Sequence, residues 1–326
     1  MDSVNKIYKV IWSKAKHCYV VTSELAKRNT KGCGTRSLRM AAVTLGVTAA
    51  LVGGAGFGSP LAYADGSITI SDANNPMGTA TGGTVRSDYG YVHPVDRSIN
   101  ELNVVGGKTG NYYFAGYYSS SASDPVSGYI LNISGSNTQI GIGTHSGQTD
   151  GVYIGSGVCT ASGNKVNVTD GAVAVGEMAG AKIAYGTVQG NEITIKDSVA
   201  RHTVIGGYFT SNTSSGVAIG NTVTVSGIKE GESYTVAKVV YGGGGKIGTA
   251  GVKVVHGKEE PDGNKVIIKD GSVIGDGTSD GGYVYGGSVE QGSGAVKYNS
   301  VEIKGSTVKR DVCGGYTGGS GLHQGE

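Results

Sequence analysis

A seven-residue phrase returns along this chain and limits what it can fold into. It reads NKVNVTD from Asn164, NEITIKD from Asn191, NTVTVSG from Asn221, NKVIIKD from Asn264 and NSVEIKG from Asn299, with YILNISG from Tyr129 as a looser copy. Successive copies start 35, 27, 30, 43 and 35 residues apart. Within each, apolar residues alternate with polar ones, as in Val166/Val168, Ile193/Ile195 and Val266/Ile268. That is the period of a half-buried strand. The opening Asn, usually after Gly, and the closing Asp or Gly read as turn residues that tolerate positive φ.

A second phrase lies between the copies: VVGGK at Val104, VIGGY at Val204, VYGGG at Val240, VYGGS at Val284 and VCGGY at Val312. It is a short apolar strand running into a Gly-Gly corner. One such unit cannot bury its own apolar face, but stacked units can. The expected fold class is therefore all-β, a β-solenoid of the right-handed parallel β-helix kind, after a helical signal peptide. A β-sandwich of short strands is the alternative, left open by the irregular spacing. Composition agrees with either. Gly makes up 60 of 326 residues and Pro only 5, charged residues are 16%, and there is no collagen-like period. Few charges and many β-branched residues argue against disorder and for strands cut by glycine turns.

The first 64 residues are of another kind. They hold nine Lys/Arg against two Asp/Glu, leaving 18 against 23 for the rest of the chain. The body has no clustered basic stripe, which excludes nucleic acid as its partner. In the leader, Ile7, Ile11, Ala15, Cys18, Thr22 and Leu25 recur at helical spacing, which predicts an amphipathic helix over residues 5–28. A basic region spans residues 1–39 and an apolar one residues 40–55, too short and Gly-rich for a membrane span. Ala62-Tyr63-Ala64 is a small-x-small site, so cleavage is expected between Ala64 and Asp65.

The wording of this leader carries a resemblance. Asn5, Lys6, Ile7, Tyr8, Lys9, Val10, Ile11 and Trp12 open it, and Ser23, Glu24, Leu25, Ala26, Lys27 and Arg28 close it. It resembles the extended signal peptide region of type V secreted proteins of Gram-negative bacteria. The departures are Asp2-Ser3-Val4 ahead of Asn5, and His17 where Asn is commoner. The resemblance implies Sec-dependent export, then passage through the outer-membrane assembly machinery to the cell surface or beyond. It does not choose among monomeric autotransporters, trimeric autotransporters and two-partner exoproteins.

The body divides into a start at 65–127 and a Gly-rich repeat region at 128–326. It resembles autotransporter passengers built of V-Y-G-G-Y and G-N-x-V-x-I-x-G-G units. GVAIGN from Gly216 and AVAVGEMAGAKIAYG from Ala172 resemble the heads of trimeric adhesins, which repeat more regularly. The chain ends at GGSGLHQGE, within the repeat pattern and without the alternating strands of a membrane barrel or the heptads of a stalk. The expectation is the N-terminal part of a longer reading frame.

Chemical motifs are sparse. Gly106–Gly110 has the GKT of a P-loop but Leu102 stands where its first Gly belongs, and Gly242–Lys246 lacks the Ser or Thr. There is no G-x-S-x-G elbow. His93, His145, His202, His256 and His323 lie far apart and read as solvated loop residues. DGTSDGG from Asp276 has the look of a calcium loop without its nonapeptide repeat, and reads as a glycine turn. Asn132, Asn167 and Asn212 fit the glycosylation pattern but read as strand and turn residues. Tyrosines such as Tyr112, Tyr113, Tyr117 and Tyr118 are expected to cover sheet faces or stack between coils, with contact to a partner as the second reading. Cys159 and Cys313, four repeat steps apart, are expected to be free thiols, Cys159 near a turn and Cys313 in a strand.

The sequence thus predicts an exported cell-surface passenger with a structural or adhesive role, not an enzyme, with no cofactor, metal or catalytic residue. A host or neighbouring-cell receptor is the expected partner. A trimeric adhesin head, a two-partner exoprotein, a passive spacer and a secreted β-helix enzyme are the alternatives.

Overall fold

The computed structural model describes residues 8–13, 18–23, 66–109, 112–141, 148–213, 215–291 and 294–318. The chain divides into two units, Met1–Ser59 and Pro60–Glu326. In the first, Tyr8–Ser13 and Cys18–Ser23 are strands paired antiparallel, with Tyr8 opposite Ser23 and Trp12 opposite Tyr19. The helix expected here is therefore corrected to a hairpin over these residues. YKVIWS and CYVVTS are rich in aromatic and β-branched side chains, which favour strand over helix. Asn5, Lys6 and Ile7, the segment Glu24, Leu25, Ala26, Lys27 and Arg28, and the cleavage residues Ala62, Ala64 and Asp65 lie outside the described residues.

Among the described residues of the second unit the regular secondary structure is nearly all strand. The only helix among the described residues is the single turn Pro76–Thr79. The Asn-led phrases form one ladder of parallel strands. Gly66–Ile70, Ile99–Val104, Ile130–Ser134, Lys165–Thr169, Glu192–Lys196, Thr222–Ser226, Lys265–Lys269 and Ser300–Lys304 pair in sequence order, without a slip between the last six. Two rungs precede the first copy seen in the sequence. Val104 belongs here, beside Ile133, so VVGGK is not a member of the Gly-Gly series. The true members, Val204, Val240, Val284 and Val312, lie side by side in a second parallel ladder. Met178, Thr149 and Phe114 extend that ladder, although their wording differs. A third ladder of two-residue strands runs through Lys108–Thr109, Gln139–Ile140, Val173–Ala174 and Val199–Ala200. Bridges carry it on to Val236 and Ile274.

The alternation read from the sequence is the inside–outside pattern of the first ladder. Leu131, Ile133, Val166, Val168, Ile193, Ile195, Val223, Val225, Val266 and Ile268 are all buried. They pack in one core with Ile140, Ala174, Ala200 and Ile274 of the third ladder and Phe114, Met178, Val204 and Val240 of the second. A second core, around Ile154, Ile183, Phe209 and Val289, fills the far end of the rungs.

The closing Asp behaves as expected: Asp170, Asp197 and Asp270 have φ of 57°, 49° and 57°. The opening Asn does not. Asn164, Asn191, Asn221 and Asn264 are fully buried, and the positive φ belongs to the glycine before three of them, Gly163, Gly190 and Gly220. Each Asn Nδ2 donates to the Oδ1 of the next copy, at 2.8 Å from Asn164, 2.9 Å from Asn191, 2.8 Å from Asn221 and 2.8 Å from Asn264. The same Oδ1 accepts the previous copy's backbone N–H. The second Nδ2 hydrogen of Asn191, Asn221 and Asn264 goes to the carbonyl of Ala161, Val188 or Ala218. A buried amide is costly unless its hydrogen bonds are made, and here the stack makes them.

That ladder explains the Gly-Gly corner. A Cβ on Gly207 would lie 2.7 Å from Asn221 Oδ1, and on Gly243 or Gly287 2.5 Å from the side chain of Asn264 or Asn299. The two recurring phrases therefore meet: the corner is glycine because the asparagine stack fills the space a side chain would take. The irregular spacing arises elsewhere. The 43-residue step contains an antiparallel hairpin, Val252–Val255 with Lys258–Pro261, turning at His256-Gly257. Cys159 and Cys313 are both free. Cys159 lies inside the long strand Thr149–Ser162, not near a turn, and Cys313 in Val312–Thr317.

Candidate functional site: an aromatic cleft above a buried carboxylate

Three strands of the second ladder bring tyrosines together from distant parts of the chain. Tyr91–Pro94 pairs with Tyr113–Ser119 so that Tyr91 faces Tyr113, and Tyr113–Ser119 pairs with Thr149–Ser162 so that Tyr118 faces Tyr153. Aromatic residues suit such cross-strand positions. The Tyr118 and Tyr153 rings are parallel to within 4° with centroids 5.7 Å apart. Tyr91 stacks on both, at 5.1 Å and 4.7 Å. Tyr113, tilted against Tyr91, and His93, tilted against Tyr118, complete the cluster. Tyr89, 86% exposed and with φ of 48°, stands over Tyr118. Together with Gln148 and Ser120 the five tyrosines line an open cleft of about 410 Å³.

Tyr91 anchors the cluster. It is 4% exposed, and its hydroxyl lies 2.6 Å from Gln148 Oε1 and 3.0 Å from Asp150 Oδ2. Asp150 is 1% exposed, and its Oδ1 has no hydrogen-bond partner of ordinary geometry. Burial pushes its carboxyl up to about 7, helped by Glu177 and opposed by Lys182, the Tyr91 hydroxyl and the Ala179 amide. One phenolic hydrogen faces two acceptors. The Tyr91 hydroxyl hydrogen is therefore shared between Gln148 Oε1 and Asp150 Oδ2. Burial beside Asp150 raises the Tyr91 hydroxyl far above its ordinary value. Lys182 and Glu177 pair at 2.5 Å at the next rung, where Lys182 lies opposite Tyr153. Their carboxylate neighbours hold the Lys182 ammonium above its usual value despite burial.

The same ladder carries rings further along. Tyr208 lies opposite Lys182, and its hydroxyl donates to Glu290 Oε1 at 2.7 Å. Glu290 also pairs with Lys246. Tyr241 stacks on its register partner Tyr285 at 5.4 Å, and Tyr285 meets Tyr316 at 5.0 Å. Burial and the neighbouring Cys313 and Tyr316 push the Tyr285 hydroxyl up to about 12.

Several residues singled out in the sequence fall elsewhere. Tyr117 is buried against Tyr129, and Tyr112 packs against the main core, so stacking and covering account for both. His93 is not a solvated loop residue: it is buried in its strand, with Nε2 3.2 Å from Asp88 Oδ2. His256 is an exposed turn residue, and His145 and His323 lie outside the described residues. In the DGTSDGG turn, Lys238 Nζ sits 3.3 Å from Asp276 and 2.9 Å from Asp280 and occupies the place of a cation. Among the described residues no group of three His, Cys, Asp or Glu could hold a metal ion. Asn132 and Asn167 are strand residues, joined with Asn103 in an outer amide ladder. Tyr89, Tyr91, Tyr153, Gln148 and Asp150 carried no local signal, because only strand register gathers them.

Comparison with known proteins bears on the two ends of this description. Residues 5–53 match the family described as the extended signal peptide of type V secretion system. A stretch of 110 residues, 33% of the chain, is 33% identical to the trimeric autotransporter adhesin AtaA of Acinetobacter sp. (strain Tol 5). The matched stretch spans about 3% of that relative's length. No solved structure matches the chain. The leader is thus that of type V secretion, a route through Sec and the outer membrane, and the chain is an autotransporter-like passenger exported to the cell surface or outer membrane.

Proposed function

We propose that this chain is a cell-surface passenger with a structural and adhesive role, and that its second unit is a β-solenoid. The single observation behind the reading is the pairing of every Asn-led strand with its sequence neighbour in parallel register. A sandwich would be expected to pair most of them antiparallel. Stacked rungs with satisfied internal amides make a stiff support, and the tyrosine cleft offers an open contact surface on it. We read the protein as non-enzymatic: its titratable groups at the cleft are tied to one another as Asp150–Tyr91–Gln148 and Lys182–Glu177, in no nucleophile–base arrangement. Its partner on this reading is a receptor on a host or neighbouring cell. A trimeric adhesin head is the second reading, favoured by the similarity to a trimeric adhesin.

The test is retention. Beads coated with the leader-free protein are expected to bind epithelial or bacterial cells more than beads coated with an unrelated β-protein. Equal retention would overturn the adhesive role. Small-angle scattering of the same protein should report a rod for a solenoid, and its mass in solution separates a monomer from a trimer.

A further inference from the structure

We infer that the tyrosine cleft is a binding subsite for a neutral, β-linked oligosaccharide. The inference rests on the adhesive reading and names its ligand class. A pyranose in such a chain has an apolar C–H face and a rim of hydroxyls. The cleft has the complementary division. Tyr118 and Tyr153 hold parallel planes on adjacent strands and together form an aromatic shelf. Ring hydroxyls, the Gln148 amide and Ser120 surround that shelf with donors and acceptors.

The shelf is fixed before any ligand arrives. Tyr91 lies beneath it, buried, stacked on both rings and tied to Gln148 and Asp150. Preorganised rings lose little freedom on binding. Only Tyr89, which is largely exposed, remains free to close over a sugar.

Charge selects among glycans. The lining itself is uncharged. The neighbouring cations Arg86 and Lys182 are paired with Asp88 and Glu177, and Asp150 lies below. Uronic, sialic and sulfated sugars would bring an anion toward carboxylates with no free cation to receive it, so neutral sugars fit. An apolar side chain of a protein partner calls for a closed pocket, whereas this cleft is open and rimmed with polar groups. Further rings, Tyr208, Tyr241, Tyr285 and Tyr316, stand on later rungs of the same sheet, beyond Lys182. With rungs about 4.8 Å apart, a chain of sugars would be served better than a single one.

The test is calorimetric titration of the purified full-length chain with cellotetraose and chitotetraose, and with heparin and polygalacturonate as acidic counterparts. Saturable binding of at least one neutral tetrasaccharide and none of the acidic chains is expected. Tyr118→Ala should weaken it by about tenfold or more. Because Tyr118 is half-buried, Tyr89→Ala serves as a second variant, expected to weaken binding severalfold with an unchanged circular dichroism spectrum. Tyr298→Ala, also exposed but remote, should bind as the parent does. No saturable neutral binding, undiminished binding in both cleft variants, or preferential binding of heparin would each overturn the inference. Cell retention that survives Tyr89→Ala and Tyr118→Ala without sugar binding removes the sugar and leaves adhesion standing. Sugar binding without cell retention removes adhesion and leaves the subsite.

Discussion

Asn191 and Asn221 are joined twice across one rung: Asn221 Oδ1 accepts Asn191 Nδ2 at 2.9 Å and the Asn191 backbone N–H at 3.0 Å. Asn221 in turn donates to Asn264 Oδ1 and to the Val188 carbonyl. Replacing Asn221 by Ala therefore strands several buried groups at once. Each costs about 1–3 kcal/mol when left unpaired, so Asn221→Ala should lose about 3 kcal/mol or more in denaturant unfolding. Asn132→Ala, in the half-buried outer ladder, should lose about 1 kcal/mol. Equal losses would show that the inner ladder has no special weight.

Gly207→Ala should damage the same stack from the other side. Its Cβ would meet the Asn221 side chain at 2.7–3.0 Å. Gly231→Ala is the comparison, since nothing lies within 4 Å there and only its φ of 82° opposes a side chain. The Gly207 variant should unfold at clearly lower denaturant, the Gly231 variant within about 1–2 kcal/mol of the parent. Matching midpoints would remove the corner from the account.

Asp150 sets a pH dependence with a definite sign. Its folded pKa, about 7, lies above the unfolded value of 3.8. Between those values the folded protein holds a proton that the unfolded chain has released. Stability should therefore fall as pH rises from about 4 to 7, by at most about 1.4 kcal/mol per pH unit, and level off above. Asp150→Asn should flatten that slope in urea melts across the window. A slope unchanged by the substitution would place the titration on another group.

The two thiols of the leader-free protein should differ in reactivity. Cys159 is 3% exposed, its thiol directed at the Asp124 carbonyl, and burial pushes its pKa up. Cys313 is half-buried. Labelling without reductant should count one ready thiol in the native protein and two after unfolding. No thiol in the unfolded monomer would reveal a Cys159–Cys313 disulfide and a different stacking order.

Export should remove the leader between Ala64 and Asp65, as the Ala62-Tyr63-Ala64 site requires. N-terminal sequencing of the exported protein is expected to begin at Asp65. A start at Met1, or far from Asp65, would reject that site.

The strands were legible because alternation is local: Val166/Val168 and Ile193/Ile195 announce one buried face without reference to anything distant. The closing aspartates were legible for the same reason, since positive φ is a property of one residue. The opening asparagines were misread as turn residues, because their partners stand a whole rung away and 27 to 43 residues along the chain. Their signal was present in the repetition itself: a pure turn position would have admitted Asp or Ser, yet five copies kept Asn. The cleft was illegible for a stronger reason. Tyr91, Tyr118 and Tyr153 belong to no shared phrase, and only the pairing of three strands brings their rings together. In the leader, helical spacing in the sequence competed with β-branched content, and over residues 8–13 and 18–23 the latter prevailed.

The hairpin at Val252–Pro261 shows what the asparagine stack makes possible. It lengthens one step to 43 residues, yet the strands on either side of it, Thr222–Ser226 and Lys265–Lys269, remain in register. Pitch is set at one corner and decoration is hung at another, so length can change without the spine losing count. A lineage of such proteins could gain, lose or reshape outward loops by insertion and deletion while the repeat arithmetic stays intact.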